Sequence, residues 1–210
     1  MEITKLYRFF IVSIGIGFLM AFSWRSEGVT PEEYKKQYSE KVDAFSMVSN
    51  DHGVEYSLKF VPKELQVISS YSKGVLTITE AEEWLKESEN EVRFMLQIEI
   101  PENGRQEFLK YESENYSYED RVKYYAFDFA KDIEVWVDEK QKLELNSFNF
   151  EREFGVSPKG TMILSVNIPK NAKNLSVKFT DQVYGTDSQS FLFDLKEFNS
   201  LPRLKNIKKW

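Results

Sequence analysis

Apolar and polar residues alternate in several short stretches of this chain, and this period of two limits its possible folds more than any other feature. From Val54 to Phe60 apolar residues occupy every second position, and Pro62 ends the run. Residues 94–100 repeat the pattern before Pro101. Because successive side chains of a strand point to opposite sides of a sheet, the alternation predicts half-buried β-strands.

Shorter runs of the same kind continue between turn-forming residues. The further predicted strands are 67–71, 75–78, 121–129, 133–137, 142–154, 162–168, 175–180 and 191–195. Within 142–154 the apolar positions change phase, which predicts a bulge near Asn146 and Ser147. Many short strands with few helices predict a mainly β fold, an antiparallel β-sandwich. An immunoglobulin-like or jelly-roll-like arrangement fits, and an open barrel has similar strand statistics.

Helices are predicted only at the periphery of this sandwich. The segment Thr30-Pro31-Glu32-Glu33 contains a capping box, which predicts an amphipathic helix that runs to about Phe45. A second capping box, formed by Thr79 and Glu82, predicts another short helix. Residues 102–120 are polar and acidic, and we expect a loop or a short helix there.

An uncharged apolar run, Phe9 to Phe22, follows Lys5 and Arg8 and precedes Arg25. Positive charge before such a run predicts a leader helix that directs the chain outward. The 16 residues between Arg8 and Arg25 cover about 24 Å as a helix, less than a bilayer core of roughly 30 Å. This length favours a cleaved signal peptide, and a retained single-pass anchor is the alternative. We therefore expect an extracytoplasmic protein of the periplasm or cell envelope, or a secreted one.

The sequence thus divides into four predicted parts. They are a signal peptide or short membrane anchor at 1–23, an amphipathic helix and linker at 24–50, a β-sandwich domain at 51–200 and a basic tail at 201–210.

Composition excludes several kinds of site. The chain has no cysteine, which rules out disulfides, thiolate metal sites and thiol nucleophiles. His52 is the single histidine, and Asn50-Asp51-His52-Gly53 is typical of a turn before a strand rather than of a catalytic base. A formal net charge of −6 disfavours nucleic acid as a partner. We assign no catalytic residue, metal or cofactor.

An aromatic platform is the candidate binding site. Trp136 shares its parity with polar residues, so an inward-facing Val135 would leave Trp136 exposed. Together with Tyr116, Tyr118 and Tyr124 it would form a surface for a sugar or a protein partner. The alternative is that Trp136 is covered by the 102–120 segment.

Other contacts are predicted at the two ends of the chain. Residues 7–24 and the basic tail are candidates for membrane contact, and Trp210 is a candidate binding residue at the end of that tail.

Carboxylates offer two weaker interpretations. Asp128, Asp132, Glu134 and Asp138 lie along one predicted hairpin, where they are either a solvated face or an acid–base pair for sugar hydrolysis. A calcium site built from Asp181, Asp187 and Asp194 lacks the spacing of a calcium loop.

These observations leave two classes of function. The preferred prediction is a non-catalytic exported cell-envelope protein, whose sandwich serves protein–protein interaction or structural assembly with a protein partner in the envelope. The alternative is a carbohydrate-binding or carbohydrate-active exported protein, with a glycan ligand held by exposed aromatics and the hairpin carboxylates.

Overall fold

The computed structural model describes residues 28–87, 90–101, 107–111, 113, 115–151 and 157–204. Strands in this part of the chain are β1 (Ser46–Asp51), β2 (Val54–Phe60), β3 (Glu91–Glu99), β4 (Ile133–Val137), β5 (Gln141–Leu143), β6 (Leu145–Glu151), β7 (Lys159–Asn167), β8 (Asn174–Phe179) and β9 (Gln189–Asp194). They form a five-stranded sheet, β1-β2-β3-β7-β6, and a four-stranded sheet, β5-β4-β8-β9. All neighbours are antiparallel. The prediction of a mainly β, antiparallel two-sheet fold is confirmed.

Short helices surround the two sheets. The α-helices are α1 (Pro31–Glu40), α2 (Lys63–Ser72), α3 (Ile78–Glu87), α4 (Tyr118–Lys123) and α5 (Leu195–Phe198). The described residues also include the 3₁₀ turns Val42–Phe45, Phe108–Lys110 and Phe129–Asp132 and the π-helical turn Tyr124–Asp128. The predicted leader lies outside the described residues, and no helix that the structure describes has the length and apolar character needed to cross a bilayer.

The two sheets pack face to face through the alternate residues that each strand buries. The ring of Phe94 in β3 lies 5.1 Å from that of Phe193 in β9. Tyr56 in β2 lies 5.3 Å from Phe179 in β8. Such contacts bury one face of every inner strand, so the core is the space between the sheets.

Several local predictions are confirmed. Strands β2 and β4 have the predicted bounds. The β6–β7 register shifts between Leu145 and Ser147, where the change of phase predicts a bulge. His52 and Gly53 take positive φ angles of 49° and 80° in the turn between β1 and β2, as the turn prediction requires.

Two predicted strands, 67–71 and 75–78, are wrong: residues 67–71 belong to α2, and residues 75–78 form the connection to α3 and its first residue. Helix α2 begins after Pro62, and α3 begins after Thr77, whose hydroxyl accepts a hydrogen bond from the Glu80 N–H. The capping box therefore lies two residues before the predicted one. Val67 and Ala81 are buried together where α2 and α3 pack. Tertiary packing of an apolar helix face outweighs the strand preference of the β-branched residues here.

Helix α1 is shorter than predicted. It ends at Glu40, and after a 3₁₀ turn the chain enters β1 at Ser46, a strand that the sequence does not predict. The capping box of Thr30 and Glu33 is confirmed. Tyr38 of α1 is buried and donates a hydrogen bond to the Phe60 carbonyl at 2.8 Å, which holds the helix against the sandwich.

The first four residues of the predicted basic tail contact the body of the molecule. Val29 donates a backbone hydrogen bond to the Arg203 carbonyl at 2.8 Å and forms a parallel bridge with Leu204. The remaining residues of the tail, including Trp210, lie outside the described residues.

Candidate binding site

A helical segment before β4 builds the most distinctive surface of the molecule. The Ser117 hydroxyl accepts a hydrogen bond from the Asp120 N–H at 3.2 Å and so caps α4. Helix α4 continues into the π-helical turn and then into a 3₁₀ turn that ends at Asp132. The predicted strand 121–129 is therefore wrong. Single π turns inside helices are often found at functional sites.

The π-helical turn sorts its aromatic residues into two environments. Tyr124 and Tyr125 are 6% and 0% exposed, so these consecutive side chains are both buried. Phe127, two residues later, is 72% exposed. The turn thus directs two hydroxyl-bearing rings toward the protein and leaves one phenyl ring in solvent.

Behind this turn lies a buried carboxyl group. Asp181 follows β8 and has no exposed surface. Its Oδ2 accepts hydrogen bonds from the Tyr125 hydroxyl at 2.8 Å and the Tyr56 hydroxyl at 3.1 Å, and its Oδ1 accepts one from the Val183 N–H at 3.0 Å. Thr186 contacts the Tyr56 hydroxyl at 3.1 Å. We call Asp181, Tyr56, Tyr125 and Thr186 the Asp181 cluster.

The electrostatics of the Asp181 cluster follow from burial. Burial raises the pKa of Asp181 to about 6, although the hydrogen bonds from Tyr125 and Tyr56 favour the carboxylate and act in the opposite direction. Burial likewise raises the pKa of Tyr125 well above its ordinary value, and the neighbouring carboxylate adds to this effect. Both tyrosines therefore keep their protons and serve as donors.

A groove of about 420 Å³ lies on the outer side of the π-helical turn. Its aromatic members are Tyr116 and Tyr124, whose ring centroids are 6.0 Å apart. The other lining residues are polar: Asp120, Asp128, Asp132, Lys123, Lys131, Asn115 and Gln182. Carboxylates, amines and amides thus surround two aromatic rings in one concave surface.

Hydrogen bonds fix most of the polar lining in place. Tyr124 donates from its hydroxyl to Asp132 Oδ2 at 2.7 Å, and Gln182 donates from Nε2 to the same oxygen at 2.9 Å. Lys131 Nζ lies 2.5 Å from Asp128 Oδ1, and this hydrogen bond lowers the pKa of Asp128. Neighbouring donors therefore set the positions of the carboxyl groups of Asp128 and Asp132 in the groove.

A buried arginine attaches the preceding segment to this surface. Arg121 is 7% exposed, and its Nε donates to the Leu109 carbonyl at 2.8 Å. Nη1 of Arg121 donates a hydrogen bond to the Tyr116 carbonyl at 2.6 Å. Because the guanidinium holds two backbone positions at once, it places Tyr116 beside α4.

The structure separates the four members of the predicted aromatic platform. Tyr116 and Tyr124 line the groove together. The Tyr118 hydroxyl instead lies 3.4 Å from a carboxylate oxygen of Glu107. Trp136 is half-buried on the opposite face of β4 from the core, where its Nε1 donates to Glu134 at 3.1 Å.

A second row of side chains surrounds Trp136 on the outer face of the four-stranded sheet. Trp136 is paired across the strands with Ser176, and Ser176 with Leu192. Leu192 is 52% exposed, whereas Ser176 is buried. In the part of the chain that the structure describes, the Ser176 hydroxyl has no hydrogen-bond partner.

Of the carboxylates considered from the sequence, Asp128 and Asp132 line the groove together, whereas Glu134, Asp138 and Asp194 lie elsewhere. Glu134 pairs with Lys142 at 2.6 Å, and Asp138 accepts from the Asn174 N–H at 2.8 Å. Asp194 caps α5. Among the described residues no three histidine, aspartate or glutamate side chains are grouped to hold a metal ion.

Sequence reasoning missed Tyr56, Tyr125 and Arg121, which organise the site, and considered Asp181 only as a possible calcium ligand. One local signal was present: Ser117 followed three residues later by Asp120 is a helix-start pattern. It would have replaced the predicted strand 121–129 with a helix.

No family model matches this chain, and no curated protein matches its sequence. Among solved structures, a DUF4426 family protein from Pseudomonas aeruginosa is similar, with 10% sequence identity and a TM-score of 0.36. The match covers 77% of this chain and 97% of that chain. This likeness is too weak to inform fold or function.

Proposed function

We propose that the chain is a non-catalytic binding protein of the cell envelope, with the groove beside the π-helical turn as its ligand site. The observation that carries this proposal is the 72% exposure of Phe127, next to Asp128 of the groove. Single exposed apolar residues are common on protein surfaces. An exposed aromatic ring that adjoins a groove residue in the same helical turn is, however, well suited to a ligand contact, because aromatic side chains are enriched in binding sites.

The pairing of the groove carboxylates supports binding over catalysis. Hydrolysis of a sugar bond requires a carboxylic acid of raised pKa beside the ligand. Asp128 has a lowered pKa because of Lys131, whereas Asp181 has a raised pKa but no exposed surface. The carboxyl group with the raised pKa is thus buried and is not among the residues that line the groove.

Export is supported by the sequence. The apolar run from Phe9 to Phe22 follows two basic residues, as in leaders that direct a chain outward. The absence of cysteine means that stability outside the cytoplasm rests on packing. Fusing residues 1–30 to a reporter that works only outside the cytoplasm tests this part of the proposal, and an inactive reporter would contradict it.

The strand order supports an immunoglobulin-like sandwich. The neighbours β2-β3-β7-β6 follow the order A-B-E-D, and β5-β4-β8-β9 follow C′-C-F-G. Strand β1 is then an extra edge strand beside β2. Folds of this type bind ligands through the loops at the ends of the sandwich. Most residues of the groove lie on the connection between β3 and β4, which correspond to strands B and C.

A photo-crosslinking amino acid at position 127 tests the binding site in the cells that make the protein. Position 75 is the matched control, because Val75 is 69% exposed but lies between α2 and α3. We expect a discrete covalent adduct from position 127 and none from position 75. The adduct should diminish when Asp132 is replaced by Asn, since that carboxylate lines the groove. Equal labelling from both positions would contradict the proposal.

A protein partner on the outer face of the four-stranded sheet is a second candidate. The row of Trp136, Ser176 and Leu192 favours it, because an exposed leucine and an indole flank a buried hydroxyl that lacks a partner among the described residues. A crosslinker at position 192 tests this surface. Discrete protein adducts that disappear in Trp136→Ala would support it, and labelling no different from position 75 would exclude it.

A further inference from the structure

We infer that the groove takes a neutral carbohydrate, an inference that rests on the proposed function of the groove as a binding site. Three observations carry it: the exposed aromatic rings in or next to the groove, the carboxylate oxygens of the lining that have no hydrogen-bond partner among the described residues, and the small net charge of the lining.

The aromatic rings supply flat apolar surfaces at the groove. Tyr116 is partly exposed within the lining. Phe127 is not a lining residue, but it is 72% exposed and directly precedes the lining residue Asp128 in the chain. Tyr124 is buried, and its hydroxyl is engaged with Asp132. The available faces are therefore those of Tyr116 and Phe127, and the C–H face of a sugar ring packs against such surfaces.

Among the described residues, one oxygen of each of the three groove carboxylates has no hydrogen-bond partner and could accept from a ligand. Tyr124 and Gln182 both donate to Oδ2 of Asp132, which leaves the lone pairs of Oδ1. Asp128 uses Oδ1 with Lys131. Asp120 likewise uses Oδ2 with the Ser117 hydroxyl. Three fixed acceptors in one groove match a ligand that carries several hydroxyl donors.

The charge of the lining favours a neutral ligand. Three aspartates and two lysines give a formal sum of −1 (−3 + 2). Lys131 pairs directly with Asp128, so part of this charge is already compensated. A strongly anionic ligand would meet three carboxylates, and a cationic one would meet two amines. A peptide segment would need apolar pockets for its side chains, whereas this lining is mostly polar.

Glycan and peptide arrays probed with the full chain, purified in detergent, test the inference. We expect binding to neutral glycans by the wild type and by the control Val75→Ala. Phe127→Ala should lose about tenfold in affinity, because an aromatic stacking contact is worth roughly that factor. Asp132→Asn should weaken binding as well, and thermal midpoints verify that each variant is folded.

The outcomes separate this inference from the proposal on which it rests. Neutral-glycan binding that depends on Phe127 supports both. Peptide or acidic-glycan binding that depends on Phe127 overturns the ligand class but leaves the binding site. The inference is also overturned if no glycan binds, or if glycan binding is the same in the wild type and Phe127→Ala. The crosslink from position 127 then decides whether the groove is a binding site.

Discussion

The two ends of the sandwich core are built from related aromatic rings but differ in polarity. At one end, which we call the phenylalanine end, the rings are Phe45, Phe60, Phe94, Phe193 and Phe198. Phe60 and Phe198 stack there with centroids 3.9 Å apart. At the other end, which we call the tyrosine end, Asp181 is surrounded by Tyr56, Tyr124, Tyr125 and Tyr184. Strand β2 contributes to both ends through Tyr56 and Phe60.

The difference distinguishes an end that is packed with phenyl rings from the end that lies next to the proposed binding site. Buried phenyl rings stabilise by removing apolar surface from water and need no partners. Buried hydroxyls and a carboxyl stabilise nothing unless each is hydrogen-bonded. At the tyrosine end these bonds fix the connection after β8 and the π-helical turn, whose outer side forms the groove. The polar end is thus the end at which a surface is held in a set shape.

The largest effect is expected at the phenylalanine end. Phe94 has no exposed surface and lies 5.1 Å from Phe193. Phe94→Ala should lower the free energy of unfolding by about 3–5 kcal/mol, the usual cost of a cavity left by a buried phenyl ring. Urea unfolding measures it. A loss below about 1 kcal/mol would show that this end is not the stabilising core.

A smaller, pH-dependent effect is expected at the tyrosine end. The pKa of Asp181 is raised to about 6 in the folded state, above the ordinary value of about 3.9. The folded protein then binds more protons than the unfolded one between these values, so stability falls as pH rises from about 4 to about 6. The expected fall is about 3 kcal/mol, and it levels off above pH 6.

Asp181→Asn is the control for this pH dependence, because it removes the titrating group and keeps the shape of the side chain. Urea midpoints measured at several pH values should fall for the wild type and stay flatter for the variant. Parallel curves for the two proteins would contradict the raised pKa of Asp181.

A matched pair of hydroxyl deletions sharpens the comparison further. Tyr125→Phe removes a donor to Asp181, and Tyr38→Phe removes a donor to the Phe60 carbonyl at the other end. Each should cost about 1–2 kcal/mol, the range for a buried hydrogen bond. Only Tyr125→Phe should shift the pH range over which stability falls to higher values, because the Asp181 carboxylate loses a hydrogen-bond donor and its pKa rises further. An equal shift of this pH range in both variants would show that the pH dependence does not arise at Asp181.

Much of the sandwich could be predicted from the sequence because strands such as β2, β4 and β9 alternate buried residues with less buried ones. Strand β2 buries Val54, Tyr56, Leu58 and Phe60, and the positions between them are only partly buried. This alternation is a local property of the chain, so it predicts the strand without knowledge of its partners.

The site could not be predicted in the same way. Tyr124, Tyr125 and Phe127 belong to a run that resembles an alternating strand, but the Ser117 cap and burial against the core make it helical. Asp181 acquires its role through Tyr56, which is 125 residues away in sequence. A contact between residues so far apart has no local pattern, and only the folded chain shows it.

The central claim is that the tyrosine end supports a binding surface that is distinct from the stabilising core. Measuring unfolding free energy and neutral-glycan affinity on Phe127→Ala and Phe94→Ala tests it most directly. Phe127→Ala should keep its stability within about 0.5 kcal/mol, as an exposed residue does, and lose about tenfold in affinity. Phe94→Ala should lose stability while its folded molecules bind normally. Equal affinities for Phe127→Ala and the wild type would contradict the claim.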